Sequence, residues 1–364
     1  MTDARRTPLY NEHVKLGAKM IDFHGWEMPL QYGRILDEHM AVRTKVGIFD
    51  VSHMGDIIVE GSDALPFLLR VLPTDVSKLK SGEAAYTAFL NYDGNIIDDT
   101  IIYRLSEDRF FFVPNASMID TIYKWISSHS HGFNVKLRNV SDDIACIAVQ
   151  GPQSRRVLER LGFIFPESFK FSYSNDYGKS KNAITDDNSC IVSGTGYTGE
   201  QGVELILGNK EAVNLWRSLL GEISDIGGLP CGLGARDTLR MEKGMLLSGT
   251  DFNGDRNPYE CSISFIVNND HDFIGKNKLN NKQSREIFRG LILQGKLIPR
   301  HGYDIVSEGK KVGTVTSGTM SPIIGSPIAL GFINRDYSKP GTEVGVNIRD
   351  NIVPARVSKP KMVP

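Results

Sequence analysis

Two adjacent acids, Asp98 and Asp99, interrupt the apolar run Asn95-Ile-Ile-Asp-Asp-Thr-Ile-Ile-Tyr103. A carboxylate in such a run is costly to bury without a partner. Neighbouring residues of a strand face opposite sides. One acid therefore lies with Ile97 and Ile101 and the other with Ile96 and Ile102, which excludes a dyad sharing one proton. Either acid can be structural, bonded to backbone amides or to an arginine. The chemical alternative is a pre-placed carboxylate that positions a nitrogen nucleophile or steadies developing positive charge.

Three further groupings could carry chemistry. Cys231-Gly-Leu-Gly-Ala-Arg236-Asp-Thr-Leu-Arg240-Met-Glu242 is a glycine-rich entry into a helix with Arg236 and Arg240 on one face. Such a face serves either a solvated helix with internal ion pairs or a ligand carboxylate held in bidentate fashion. Gly194-Thr-Gly196-Tyr-Thr-Gly199 satisfies GxGxxG, but Gln201-Gly-Val-Glu-Leu-Ile-Leu alternates like a strand. A dinucleotide site needs a helix to start at the glycine turn, so a glycine-rich hairpin is the better reading, with Tyr197 available to stack on a flat ligand. Asp50-Val-Ser-His53-Met54-Gly carries a lone histidine; Ser52 and His53 are chain neighbours and no GxSxG elbow occurs, which argues against a hydrolase triad.

The elements that must position these residues are legible in outline. Ile35, His39, Val42 and Val46 recur at helical spacing between Gly33 and Val46, with Gly47 read as a glycine C-cap. Short β-branched or aromatic runs at 56–60, 84–91, 96–105 and 110–113, punctuated by turns such as Asp93-Gly94, predict an antiparallel sheet. Helices are predicted over 115–129, with Met118, Ile122 and Ile126 on one stripe, and over 153–161. The class is mixed α+β. Past about residue 280, strands at 290–294, 303–306, 312–316, 344–348 and 354–357 predict a small all-β unit, with the polar 268–284 stretch as its linker.

The 364-residue length implies two or three packed units. With 42 Lys plus Arg against 43 Asp plus Glu, no basic excess points to nucleic acid. Cys146, Cys190, Cys231 and Cys261 form no CxxC or Cys/His cluster, so neither zinc nor a disulfide framework is expected. No apolar run reaches the roughly 18–20 residues of a membrane span, and the N-terminus has no signal-like apolar region. A cytoplasmic protein is expected, or a processed mitochondrial one.

Ordered blocks along nearly the whole chain resemble the glycine cleavage T-protein family. They are Thr7-Pro-Leu-Tyr10, Asp22-Phe-His-Gly-Trp26-Glu-Met-Pro29, Gly47-Ile-Phe-Asp-Val-Ser-His-Met54 and Asn95-Ile-Ile-Asp-Asp99, followed by Gln150-Gly-Pro152, Thr195-Gly-Tyr-Thr-Gly-Glu200, Gly232-Leu-Gly-Ala-Arg-Asp237 and Thr316-Ser-Gly-Thr-Met-Ser-Pro322. The resemblance implies an α+β, three-lobed folate-binding fold with mainly antiparallel sheets and a C-terminal β-barrel. Its implied boundaries are a catalytic region over 1–267, with interleaved lobes at 1–50 plus 140–267 and at 51–139, and a barrel over 285–364. It further implies an aminomethyltransferase that moves a methylene from an aminomethyl group on a lipoyl-bearing H protein to tetrahydrofolate. By motif position Asp99 takes the catalytic acid's role, and Met54, Tyr86, Asn115, Tyr197, Glu204 and Arg236 are implied folate contacts; no metal is implied. The chain departs from the family at Ser248, Thr250 and Phe265. A folate-dependent demethylase is the enzymatic rival. A non-catalytic folate-binding paralogue in iron–sulfur protein maturation is the other, but its Lys-Gly-Cys segment reads Lys243-Gly-Met245 here.

Overall fold

The computed structural model describes residues 4–174, 182–187, 189–279 and 284–364. Two compact units emerge. The first comprises residues up to 71 with 75–87 and 99–236, and the second comprises 72–74, 88–98 and 237–364.

In the first unit a six-stranded sheet runs in the order Phe171–Ser174, Cys190–Ser193, Gly202–Gly208, Ile144–Gln150, Gly47–Asp50, Leu229–Pro230. All pairings are antiparallel except the last. Strand alternation sends Ala145, Ile147, Val149, Val203, Leu205 and Leu207 to one face, where helix Ala212–Ser224 packs Leu215, Trp216, Leu219 and Ile223. Burying each large apolar side chain contributes about 1.5–3 kcal/mol. The opposite face presents Ile144, Ile191 and Ile206 to Ile58, Tyr103 and Phe111. Those three come from a second, five-stranded sheet in the order Glu83–Leu90, Ile96–Arg104, Arg109–Phe112, Ile57–Glu60, Lys136–Asn139. Polar residues that share the inner face of the first sheet thus point into the layer between the two sheets.

The second unit carries a closed barrel in the order Glu286–Leu293, Ser326–Asn334, Lys310–Ser321, Asp304–Ser307, Glu343–Ile348, Asn351–Ser358, filled by Leu291, Ile305, Val315, Ile333 and Val346. The mixed α+β class, the antiparallel sheets and the C-terminal barrel are as expected. Of the expected 268–284 linker, residues 280–283 lie outside the described residues, and Lys276–Leu279 is a short helix. Among the described residues, no helix is long and apolar enough to cross a membrane.

Two local expectations change. The helix after Gly33 spans Ile35–Thr44 and ends at Lys45, so Gly47 is not its cap but the first residue of strand Gly47–Asp50. A Cβ there would stand 2.4 Å from Val42 Cγ2 and 2.7 Å from Cys231 Sγ, so close packing of helix on strand demands the glycine. The barrel strand Ser326–Asn334 had no sequence signal because Pro327 through Ile333 are all buried, leaving no polar alternation to read.

Candidate active site

Asp99 sits on strand Ile96–Arg104, half-buried, while Asp98 is fully buried on the other face, as strand alternation requires. Both oxygens of Asp99 are engaged. Tyr86 Oη donates to Oδ2 at 2.7 Å, and Asn115 Nδ2 donates to Oδ1 at 2.9 Å and to the Asp99 carbonyl at 3.1 Å. Asn115 reaches this position from the residue before a 3-10 turn, Ala116–Met118, that leads into helix Ile119–Ser128. That helix inserts Ile119, Ile122 and Ile126 into the core. The result is an oriented carboxylate, fixed from two sides by neutral donors.

A second grouping forms around Glu204, Tyr197 and Arg236. Glu204 projects from strand Gly202–Gly208 into the layer between the sheets and accepts from Thr195 Oγ1 through Oε2. The Arg236 guanidinium lies 4.7 Å from the centre of the Tyr197 ring, a cation–π contact. Its Nη1 is buried with no hydrogen-bond partner among the described residues. Burial lowers the Arg236 pKa, and the Glu204 carboxylate opposes that shift. An unfilled donor therefore stands near a carboxylate that can accept more hydrogen bonds, which suits a flat ligand with N–H donors on one edge and an acceptor beside them. The glycine-rich connection between Ser193 and Gly202 is a hairpin joining antiparallel strands, as read from the sequence, and no helix starts there. Gly196 and Gly202 are glycines because a Cβ on either would strike the Gln150 amide, at 2.2 Å and 2.5 Å respectively. That amide in turn bonds the Thr195 and Val203 carbonyls and accepts from Thr198, pinning the connection in place.

Met54 lies on the 51–56 segment, which links the two groupings. Gly55 N donates to the Pro114 carbonyl at 2.9 Å, one residue before Asn115, and a Gly55 Cβ would stand 2.7 Å from Pro114 Cγ. On the same segment, His53 and Asp56 feel Arg236 and Glu204 electrostatically. Burial, then repulsion from Arg236, brings His53 down to about 4, so this ring is neutral near pH 7. Burial, then the Glu204 carboxylate, push Asp56 up to about 8.

All seven residues picked from the sequence therefore fall in the first unit, with Asp99, Tyr86 and Asn115 in direct contact and Tyr197 against Arg236. Sequence reasoning passed over Asp56 and Thr195. Asp56 had a usable signal: it precedes Ile57-Ile-Val-Glu60 in the same alternation as the core residue Ile58, a position where an acid must be buried. Thr195 had none, because its role depends on a strand pairing that places Ser193 opposite Glu204.

Arg240, one turn beyond Arg236, has a different fate. Within the second unit it bonds Asp251 at 2.7 Å, Asp237 at 2.8 Å, Ser317 Oγ at 2.8 Å and the Met245 carbonyl at 3.0 Å. Arg240 thus forms internal ion pairs, but in a buried setting rather than on the solvated face expected. Of the residues read from the sequence as departures from the family, Ser248 is buried with no hydrogen-bond partner for its hydroxyl among the described residues, Thr250 lies in the turn before Asp251, and Phe265 is 74% exposed.

Residues 9–271 match the GCVT N-terminal domain, and 288–363 match the glycine cleavage T-protein C-terminal barrel domain. A protein from Thermotoga neapolitana named aminomethyltransferase is 44% identical over 334 residues, covering 91% of this chain and 90% of the relative. Proteins of the same name from Halothermothrix orenii and Bacillus subtilis are each 41% identical and cover 98% of this chain, with 99% and 98% of their own lengths aligned. The crystal structure of the glycine cleavage system aminomethyltransferase T from Bartonella henselae superposes with a TM-score of 0.90 at 32% identity, covering 99% of this chain and 98% of that one. With two family domains in order and full-length relatives well above 30% identity, the chain belongs to the glycine cleavage T-protein family.

Proposed function

We propose that this chain is a tetrahydrofolate-dependent aminomethyltransferase that accepts its one-carbon unit from a lipoyl-bearing H protein, in a bacterial cytoplasm. The observation that carries the reading is the Tyr86–Asp99–Asn115 grouping, a carboxylate held in one orientation, in a chain whose full-length relatives are named aminomethyltransferase. In the reaction the lipoyl S–CH2 bond breaks and the sulfur leaves as a thiol. The carbon–nitrogen bond to the departing amine also breaks, and the CH2 becomes bonded to both folate nitrogens, whose two N–H protons end on the sulfur and on the amine that leaves as ammonia.

Positive charge develops on that carbon and its nitrogen as each bond breaks. A carboxylate fixed beforehand stabilises such charge without reorganising, which is the role proposed for Asp99. Asp99 also orients the folate amine for attack and forms no covalent intermediate. Glu204 and Arg236 hold the pterin edge, Tyr197 and Met54 flank its flat ring, and Tyr86 and Asn115 fix Asp99 while lining the folate site. Aminomethylated H protein and tetrahydrofolate supplied together should yield ammonia and methylenetetrahydrofolate in equal amounts. Turnover of a small methylated donor without H protein would replace this reading with that of a demethylase.

A further inference from the structure

Next to Glu204, three buried hydroxyls form a closed group. Ser193 Oγ donates to Tyr103 Oη at 3.2 Å, Tyr103 Oη and Thr195 Oγ1 are 3.1 Å apart, Ser193 Oγ and Thr195 Oγ1 are 2.8 Å apart, and Thr195 Oγ1 donates to Glu204 Oε2 at 2.5 Å. Each hydroxyl has one proton. Thr195 commits its proton to Glu204, so at the Tyr103–Thr195 contact Tyr103 is the donor. Ser193 has a single proton for its contacts with Tyr103 and Thr195, so every O–H bond of the group leads to the carboxylate, with Thr195 as the last donor.

Chains of this kind polarise one another, so the last donor is stronger than an isolated hydroxyl. The group is also rigid. Ser193 and Tyr103 are fully buried, Thr195 nearly so, and the Tyr103 ring is stacked on Phe111 at 4.2 Å with Phe171 edge-on at 5.6 Å. Ser193 is held directly opposite Glu204 by strand register. Thr195 supplies the one hydrogen bond this carboxylate receives among the described residues. Oε1 and one lone pair of Oε2 are therefore left for a ligand.

We propose that Ser193, Tyr103 and Thr195 act as a positioning relay that fixes the Glu204 carboxylate as a pure acceptor for a ligand edge carrying two adjacent N–H donors. This inference rests on the reading of Glu204 as a folate contact. Thr195 is the member that touches Glu204, and Tyr103 and Ser193 act through it. Neither is a catalytic residue.

The test measures binding of 5-formyltetrahydrofolate by calorimetry, and kcat and KM for tetrahydrofolate, in Thr195→Val, Thr195→Ser, Tyr103→Phe, the Thr195→Val/Tyr103→Phe pair and Glu204→Gln. Thr195→Val should weaken binding about tenfold and raise KM by a similar factor, with kcat within about twofold of the parent. Thr195→Ser, which keeps the hydroxyl, should restore binding to within about threefold. Tyr103→Phe should weaken binding about threefold in the parent but not in the Thr195→Val background, because its effect passes through Thr195. A role in folding alone would give neither the serine rescue nor this loss of additivity. Weak binding by Glu204→Gln alongside normal binding by Thr195→Val would overturn the relay alone. Normal binding by Glu204→Gln would overturn the folate reading of Glu204 and the relay with it.

Discussion

Tyr86 and Asp99 stand on different strands, Glu83–Leu90 and Ile96–Arg104, and the tyrosine hydroxyl meets Asp99 Oδ2 at 2.7 Å. A hydrogen bond from a neutral donor to a carboxylate orients the acid while leaving its full negative charge in place. In a salt bridge such as Arg240–Asp251, by contrast, the donor itself neutralises the charge.

The first prediction follows from that charge. Asp99→Asn keeps the shape and an acceptor for Tyr86 but removes the anion, so kcat should fall about 100- to 1000-fold, the usual cost of losing a pre-placed electrostatic stabiliser. Tyr86→Phe leaves the anion but loosens it, and should cost about tenfold. Single-turnover rates with folate dissociation constants in parallel would separate the two effects. An Asp99→Asn protein turning over at the parent rate would remove Asp99 from the chemistry.

Arg236 and His53 give a prediction that needs no substrate. Burial is the larger cause of the low His53 pKa of about 4, and Arg236 adds to it. Arg236→Met should therefore raise the His53 pKa while leaving it below the ordinary 6.5. An NMR titration of the ring protons reads this directly. A value unmoved by the substitution would mean that the two side chains do not face each other.

Asp56 makes stability depend on pH in an unusual direction. Its folded pKa of about 8 exceeds the ordinary 3.8, because burial and Glu204 disfavour the charged form. Between those values the folded chain holds a proton that the unfolded chain releases. Its contribution to stability is thus fully present below about pH 4 and is lost as pH rises through about 8. Asp56→Asn has no proton to lose. Relative to the parent it should gain stability steadily from about pH 4 to about pH 8, as read by denaturant midpoints at several pH values. A constant difference across that range would show that Asp56 is ionised in the folded protein.

Asp99, Tyr197 and Arg236 sit in short local patterns that the chain alone shows, whereas Met54, Tyr86, Asn115 and Glu204 were reached only through the family resemblance. The Asp98/Asp99 alternation needed only the two-residue period of a strand, and the hairpin nature of the glycine-rich segment needed only the alternating residues after it. What could not be read came from pairing between distant segments. Gly47 looks like a helix cap until Cys231 is placed against it, and Thr195 looks like a loop threonine until Ser193 pairs with Glu204. Arg236 and Arg240 are indistinguishable by spacing. Only the positions of Asp251 and Ser317, remote in sequence, make one a structural ion pair and leave the other with an open donor.

Arg240 and Asp251 supply the last prediction, and it concerns stability in the second unit. Asp251 is fully buried and accepts from Arg240, Thr316, Ser317 and the Leu247 amide, so its oxygens are saturated by four donors. Removing the acid takes its Asp251 partner from the buried Arg240 guanidinium, and three further donors lose an acceptor. Breaking one side of such a pair costs about 3–5 kcal/mol, more than the pair itself contributes relative to an apolar replacement. Asp251→Ala should therefore lower the unfolding free energy by about that amount. The Arg240→Met/Asp251→Leu double variant, which buries no unpaired charge, should lose less than Asp251→Ala alone. Chemical denaturation of the three proteins tests the order. A double variant less stable than the single would show that the hydrogen bonds from Thr316 and Ser317, rather than the charge balance, set the stability of this region.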